Sequence, residues 1–286
     1  GVAAYNRAYQ VSRIEGVGAG LELFDELLQF SRTRGISSLA RGSQEARLGL
    51  LVVAGRLREA LAEGDEVVAA IEATGNAFLL HLAQSHVAWA HLETGSHGPA
   101  RSLAEAAVAG ARATANRAIF VTAAILAARA RVGDGAVADA RLVLEEIAAD
   151  PLGLDAAAPL LPMLIRSALL VGDDELADRL CLAIVPSLPL HEAGLAASRA
   201  QIEESRGELQ VAARSFREAA ERLDALGAGL EHAYALLGEG RCLLALGDRS
   251  AERTLRVAHR LFTAMDARLG IDECDALLAR VARLSS

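Results

Sequence analysis

Glycine recurs along this chain at intervals of 35 to 40 residues, each time where an apolar helical run ends. In the stretch RGELQVAARSFREA, Gly207 is followed by alanine five residues on, by Phe216 nine on and by a second alanine twelve on. An alanine follows five residues after four of the other glycines as well. A fixed spacing that recurs in this way predicts a repeated structural unit. The predicted turn glycines are Gly16, Gly55, Gly95, Gly133, Gly172, Gly207 and Gly247.

A second set of helix-breaking residues lies about twenty residues after each of these glycines. Glycine and asparagine adopt the left-handed conformation that ends helices, and proline cannot continue a helix. Each unit is therefore predicted to be a helix, a tight turn, a second helix and a turn. Small alanines in the second helix allow close packing, and a bulkier residue between them, such as Phe216, Cys181 or Leu142, fills the remaining space. The second breaks are Gly35, Gly75, Asn116, Pro151 with Gly153, Pro186 with Pro189, and Gly227.

Composition agrees with an all-helical chain, because 52% of residues are hydrophobic but only 3% are aromatic. Alanine and leucine, which dominate the core, are strong helix formers. One pair of helices cannot bury its apolar face alone, so neighbouring pairs must stack. The predicted fold is all-α, a right-handed α-α superhelix of seven antiparallel helix pairs and a C-terminal capping helix, forming a single domain over 1–286. The predicted units are 1–36, 37–75, 76–116, 117–153, 154–190, 191–227 and 228–270, with the cap at 271–286.

The spacing of Gly207–Ala219 resembles the tetratricopeptide repeat, and the stretch that begins at Gly95 matches it well. The period departs from the usual value of about 34 residues and no regular proline closes each unit. Such longer units resemble the helical-repeat regions of large bacterial signalling proteins, namely LuxR-type regulators with an ATPase core and class III nucleotide cyclases with a similar ATPase. The phrase REAAERLDALGAGLEHAYALLGEGRCLLALGD resembles that group in particular. The resemblance implies a region that binds a protein or a small effector.

Several classes of function are disfavoured by the residues that the chain contains. All 29 basic residues are arginine, so neither a P-loop lysine nor a Schiff-base lysine is present. The net charge of −8 argues against a nucleic-acid partner, which needs a concentrated basic face. Cys181, Cys242 and Cys274 form no metal-ligand spacing and indicate a reduced, cytoplasmic protein. The longest apolar stretch is too short and interrupted for a membrane span, and we expect no membrane partner.

Catalytic, metal and cofactor sites are also not expected. The run EGVGAG lacks the preceding strand and the third glycine of a dinucleotide fingerprint. His81, His86 and His91 follow each other in five-residue steps of roughly 140° around a helix, so they do not converge on a metal. No hydrolase or nucleophile motif is present. We therefore expect a non-catalytic protein without a metal or a cofactor.

The remaining candidate is the concave surface of the superhelix, which the first helix of each unit lines. Aromatic and arginine side chains are frequent at binding hot spots. Arg166 is singled out because it lies within the apolar run LLPMLIRSALLV, where a charge needs a partner or water. The predicted groove residues are Asn6, Gln10, Arg13, Glu45, Ser85, Trp89, Phe120, Arg166, Gln201, Glu204, Tyr234 and Arg241.

The resemblance, together with the predicted groove, implies an interaction or sensor region of a larger bacterial signalling or transcription-regulatory protein. The chain has no initiator methionine and opens within a helical pattern, so we expect a fragment. A protein segment or a small effector would occupy the groove. The alternatives are a module that only self-associates, as a homodimer, and a stand-alone adaptor. A mean hydropathy of +0.27 allows the exposed apolar patch that self-association would use.

Overall fold

The structure, a computed structural model, describes residues 1–284 and is helical throughout that range. This confirms the prediction of an all-α helical solenoid; residues 285 and 286 of the predicted cap lie outside the described residues. None of the described helices is long and apolar enough to cross a membrane. The helices are α1 (Val2–Ile14), α2 (Val17–Thr33), α3 (Ser37–Val53), α4 (Leu57–Glu72), α5 (Ala77–Glu93), α6 (His97–Ala113), α7 (Arg117–Gly133), α8 (Val137–Ala149), α9 (Leu161–Leu170), α10 (Asp174–Leu182), α11 (Pro189–Ser205), α12 (Leu209–Ala225), α13 (Gly229–Ala245), α14 (Ala251–Met265) and α15 (Arg268–Leu284), with a 3-10 helix (Leu154–Leu160) before α9.

Tight turns join the two helices of each pair, and each of these turns contains a glycine with positive φ. Six of the seven predicted turn glycines have such a conformation. The prediction for Gly133 is wrong, because this residue is the last of α7 and Gly135 takes the left-handed conformation, with φ of 78°. Only glycine reaches this region of φ at little steric cost.

Because the turn glycine is Gly135 and not the predicted Gly133, the packing pattern of α8 is shifted by two residues relative to the prediction. Counting from Gly135, the positions five and nine residues on are Ala140 and Leu144, and both are fully buried. The predicted packing residue Leu142 is instead 64% exposed. The repeat spacing is thus kept in this unit, and its origin lies two residues further along the chain than predicted.

Bulky side chains pack into spaces that glycine leaves on neighbouring helices. The ring of Phe216 on α12 lies where a Cβ on Gly238 of α13 would approach it to 2.5 Å. Phe262 on α14 occupies the same kind of space over Gly270 of α15. Because real Cβ contacts are not this short, these glycines allow the close helix packing that a core poor in aromatic residues requires.

The superhelix closes on itself, because the turns of the first two pairs contact the turns near the C-terminal end. The backbone N–H of Val17 donates a hydrogen bond of 2.8 Å to the carbonyl oxygen of Leu226. A Cβ on Gly229 would lie 2.7 Å from the carbonyl oxygen of Ala54. These contacts turn the predicted open groove into an enclosed channel lined by the first helix of each pair.

Candidate functional site

The channel is packed in its middle and open on either side. Between the two open parts, α3, α5, α9 and α13 leave a cavity of only about 10 Å³, room for about one water molecule. We call the packed residues the plug. Its members are Val53, Trp89, Pro162, Leu230 and Glu231.

On one side of the plug lies the apolar chamber, with a volume of about 330 Å³. It is formed by α1, α3, α5, α7 and the 3-10 helix, so five inner segments contribute to one wall. This volume and this mostly apolar lining are typical of small-molecule sites. Its main lining residues are Tyr5, Tyr9, Leu82, Trp89, Leu126 and Leu160.

Several side chains with polar atoms interrupt the apolar wall. Glu45 is 2% exposed, and its Oε1 lies 3.2 Å from Nδ1 of His86 without a well-formed hydrogen bond. The indole Nε1 of Trp89 is buried and has no hydrogen-bond partner among the described residues. Burial, with a smaller effect of the Glu45 charge, raises the pKa of Tyr5, so its hydroxyl stays protonated. The chamber therefore combines a buried carboxylate with an unused indole donor.

On the other side of the plug lies the charged chamber, with a volume of about 390 Å³. It is formed by the C-terminal parts of α7, α9 and α11 together with α13 and α15. Three of the chain's arginines meet here, although the helices that carry them are far apart in sequence. Its polar lining residues are Arg129, Arg166, Gln201, Glu204, Ser205, Tyr234, Arg241 and Glu273.

Arg241 is held by carboxylates from two other helices. Its Nε and Nη2 each donate a 2.8 Å hydrogen bond to Glu204 of α11, and Nη1 donates one of 2.5 Å to Glu273 of α15. Burial alone lowers the pKa of the guanidinium, and these two carboxylates outweigh it, so the pKa is raised. Arg241 thus stays charged and ties α15 to the inner helices.

A network of buried polar groups joins the plug to the charged chamber. Nη2 and Nη1 of Arg166 donate to the two carboxylate oxygens of Glu231, at 2.9 and 3.4 Å. The same guanidinium lies 3.9 Å from the centre of the Tyr234 ring. The Tyr234 hydroxyl in turn donates a 2.6 Å hydrogen bond to the buried carboxyl group of Glu93. The network links α5, α9 and α13 across the interior.

The structure divides the predicted groove residues into three groups. Asn6, Glu45 and Trp89 line the apolar chamber. Arg166, Gln201, Glu204, Tyr234 and Arg241 line the charged chamber. Gln10, Arg13, Ser85 and Phe120 line neither chamber. Trp89, which was predicted to face an open groove, is only 2% exposed because the closed superhelix packs α5 into the plug.

The four residues outside the chambers have local partners or face solvent. Gln10 is exposed. Arg13 stacks 4.1 Å from the Tyr9 ring, and the Ser85 hydroxyl donates to the His81 carbonyl oxygen. Phe120 packs beneath the guanidinium of Arg117 at the start of α7. These side chains support helices and do not converge with the others.

Sequence reasoning missed several residues that the chambers contain. Tyr5, Arg129 and Glu273 carry no unusual pattern in the sequence, and His86 was considered only as a metal ligand. Glu93 follows the segment VAWAHL on the same helix, and its position next to these mostly apolar residues was a weaker signal of burial than that of Arg166.

No group of three or more histidine, cysteine, aspartate or glutamate residues that could hold a metal ion occurs within residues 1–284. No family model matches the sequence, and no curated protein matches it. The two chambers are therefore the features of the molecule that point to a function.

Proposed function

We propose that this chain is a non-catalytic effector-binding module, in which a small, largely apolar molecule with a hydrogen-bond acceptor occupies the apolar chamber. The observation that carries the proposal is Trp89, which lines both the apolar chamber and the small plug cavity and whose buried indole N–H has no partner among the described residues. An unsatisfied buried donor costs about 1–3 kcal/mol, and a ligand acceptor would remove that cost. The enclosed interior favours a small effector over a protein segment that runs along the channel.

The resemblance to repeat regions of bacterial signalling proteins supports a role in sensing. Five inner segments from the first five helix pairs contribute to the chamber wall. A ligand that contacts all of them stabilises one arrangement of the pairs over others, and the superhelix then transmits this preference to whatever it is attached to. Binding is therefore the mechanism, and no reaction is required.

The test uses Trp89 as an internal reporter, since it is the only tryptophan of the chain. Its indole N–H gives a single resonance in a proton–nitrogen correlation spectrum. Acetophenone, an aromatic ketone, should bind saturably and move this resonance downfield, because its carbonyl oxygen accepts the unused hydrogen bond. Ethylbenzene has nearly the same shape without the acceptor, so it should bind more weakly and cause no such shift.

A pair of matched variants locates the site. Ala156 lies exposed at the chamber wall, and Ala156→Leu should reduce acetophenone binding by filling the chamber. Ala138→Leu makes the same change on the outer face of α8 and should leave binding unchanged. Binding that is equal in the two variants, or equal for the two probes, would contradict the proposal.

Self-association is the second candidate, favoured by apolar side chains that the fold leaves exposed. Leu182 at the end of α10 is 83% exposed and Val185, three residues on, is 74% exposed. Exposed apolar side chains that are neighbours in the sequence offer surface that a second copy of the chain could cover. Light scattering at micromolar concentration tests the idea: a dimer that Leu182→Ser converts to a monomer supports it, and a wild-type monomer excludes it.

A further inference from the structure

Among the described residues, the charged chamber contains one arginine that forms no direct ion pair. Arg166 is paired with Glu231, and Arg241 with two carboxylates. Arg129 lines the same chamber, half-buried, and forms no hydrogen bond or ion pair within residues 1–284, although its charge acts at longer range on the buried carboxyl group of Glu93. A guanidinium offers a planar set of donors that fits a carboxylate, so this wall presents an unoccupied anion-binding group.

A second polar side chain of the chamber is also unused. Gln201 is 6% exposed, and its Oε1 is buried with no hydrogen-bond partner among the described residues. Leaving a buried amide oxygen unpaired is as costly as leaving a donor unpaired. The carboxylates of Glu204 and Glu273 lie on the same wall. The amide oxygen of Gln201 therefore lacks a hydrogen-bond donor within the described part of the chain.

We infer that the charged chamber is a second binding site, for a small carboxylic acid with a hydroxyl or ammonium group next to its carboxylate. The carboxylate pairs with Arg129, and the donor bonds to Gln201. The acidic wall residues disfavour a multiply charged anion such as phosphate, because of the three arginines that line the described chamber two are already paired with carboxylates. This inference does not rest on the apolar chamber, which has a different lining and lies beyond the plug.

The experiment is a calorimetric titration of the chain with L-alanine and with three small molecules that each differ from L-alanine at one group. L-Alanine and L-lactate carry both the carboxylate and a donor, propionate lacks the donor, and L-alaninamide lacks the carboxylate. We expect L-alanine or L-lactate to bind in the millimolar range, and propionate and L-alaninamide to bind about tenfold more weakly or not at all, as the loss of one such hydrogen bond predicts. Inorganic phosphate should not compete.

Two variants assign the contacts. Arg129→Gln should weaken binding at least about tenfold, since a hydrogen bond to a charged group is lost. Arg131→Gln makes the same change on the same helix, at a residue paired with Glu105, and should not affect binding. Gln201→Leu should remove the preference for L-lactate over propionate. Arg129→Gln breaks no ion pair, so it is expected to fold like the wild type.

The inference is overturned if none of the four molecules binds, if propionate binds as well as L-lactate to the wild-type chain, or if Arg129→Gln leaves the affinity unchanged. The four ligands are compared on the wild-type chain, so the inference can still be tested if Gln201→Leu folds poorly. A negative result here leaves acetophenone binding to the apolar chamber untouched. The two sites therefore fail or succeed separately.

Discussion

The carboxyl group of Glu93 is the most deeply buried acid in the interior described above, at 1% exposure. Burial raises its pKa, and the hydrogen bond from Tyr234 and the charge of Arg166 oppose that rise without cancelling it. Glu231 also faces it and raises the pKa, whereas Arg129 lowers it. A carboxyl group in this position binds its proton more tightly in the folded state than in the unfolded state.

The sign of the resulting pH dependence follows from proton linkage. Because the folded pKa of Glu93 lies above the unfolded value of about 4.3, its contribution to stability is complete below that value and is lost as pH rises through the folded pKa. Glu93→Gln keeps an acceptor for Tyr234 and carries no charge. We expect the free energy of unfolding of the wild type to fall relative to that of Glu93→Gln as pH rises, measured by urea denaturation between pH 5 and pH 8.

Glu93→Leu is the matched control for that comparison. It also removes the charge, but it leaves the buried Tyr234 hydroxyl without its 2.6 Å acceptor, so we expect it to be less stable than Glu93→Gln by about 1–3 kcal/mol. If the difference in the free energy of unfolding between the wild type and Glu93→Gln is the same at every pH, the pKa of Glu93 does not differ between the folded and unfolded states.

Arg166 marks the limit of what the sequence could predict at this scale. A charge within an apolar run has to find a partner, and the sequence alone indicates that need. Glu231, which supplies the partner, lies 65 positions away in another helix pair. Only the relative placement of α9 and α13 brings the two together, and no local pattern encodes that placement.

At the scale of single helices, the register of α8 gives a direct test. Leu144 is fully buried between helices, whereas Leu142 is 64% exposed on the same helix. Leu144→Ala should lower the free energy of unfolding by about 2–5 kcal/mol, the usual cost of a cavity in a core. Leu142→Ala should change it by less than about 0.5 kcal/mol. Urea denaturation of both variants decides between the observed register and the one counted from Gly133. In the latter register Leu142 is the packing residue, so Leu142→Ala would be the more destabilising of the two variants.

The sequence predicted the helix pairs well because each is specified locally. A glycine with positive φ, small residues at helical spacing and an apolar face all lie within about one repeat. The error at Gly133 has a local cause too, since Gly133 and Gly135 stand in the segment VGDGAV and either can end a helix. Burial of Ala140 selects Gly135, and burial is a property of the packed structure.

At the scale of the whole molecule, closure could not be predicted from the repeats. The pair of Arg58 and Asp266 joins residues 208 positions apart, and the hydrogen bond between Val17 and Leu226 joins turns from opposite ends of the chain. Whether the ends meet depends on small rotations that add up over all pairs. This is why eight of the twelve predicted groove residues divide between two chambers instead of lining one open surface.

The closing contact between Gly229 and Ala54 can be opened by a single change. A Cβ at residue 229 would lie 2.7 Å from the Ala54 carbonyl oxygen, so Gly229→Leu has to push the start of α13 away from the turn between α3 and α4. The helices themselves are unaffected, because leucine is a better helix former than glycine. We expect the same helical content by circular dichroism and a larger radius of gyration by X-ray scattering than that of the wild type, which should be near the value of about 19 Å for a compact chain of this length.

Gly98→Leu serves as the control, since Gly98 also lies in the first turn of a helix but has open space around its Cβ position. It should leave the radius of gyration at the wild-type value. Because the plug contains Val53, Leu230 and Glu231, opening this contact also separates helices that hold the plug together. Acetophenone binding should therefore weaken in Gly229→Leu and not in Gly98→Leu. A variant that expands without any loss of binding would show that the apolar chamber is formed by the first pairs alone, independently of closure.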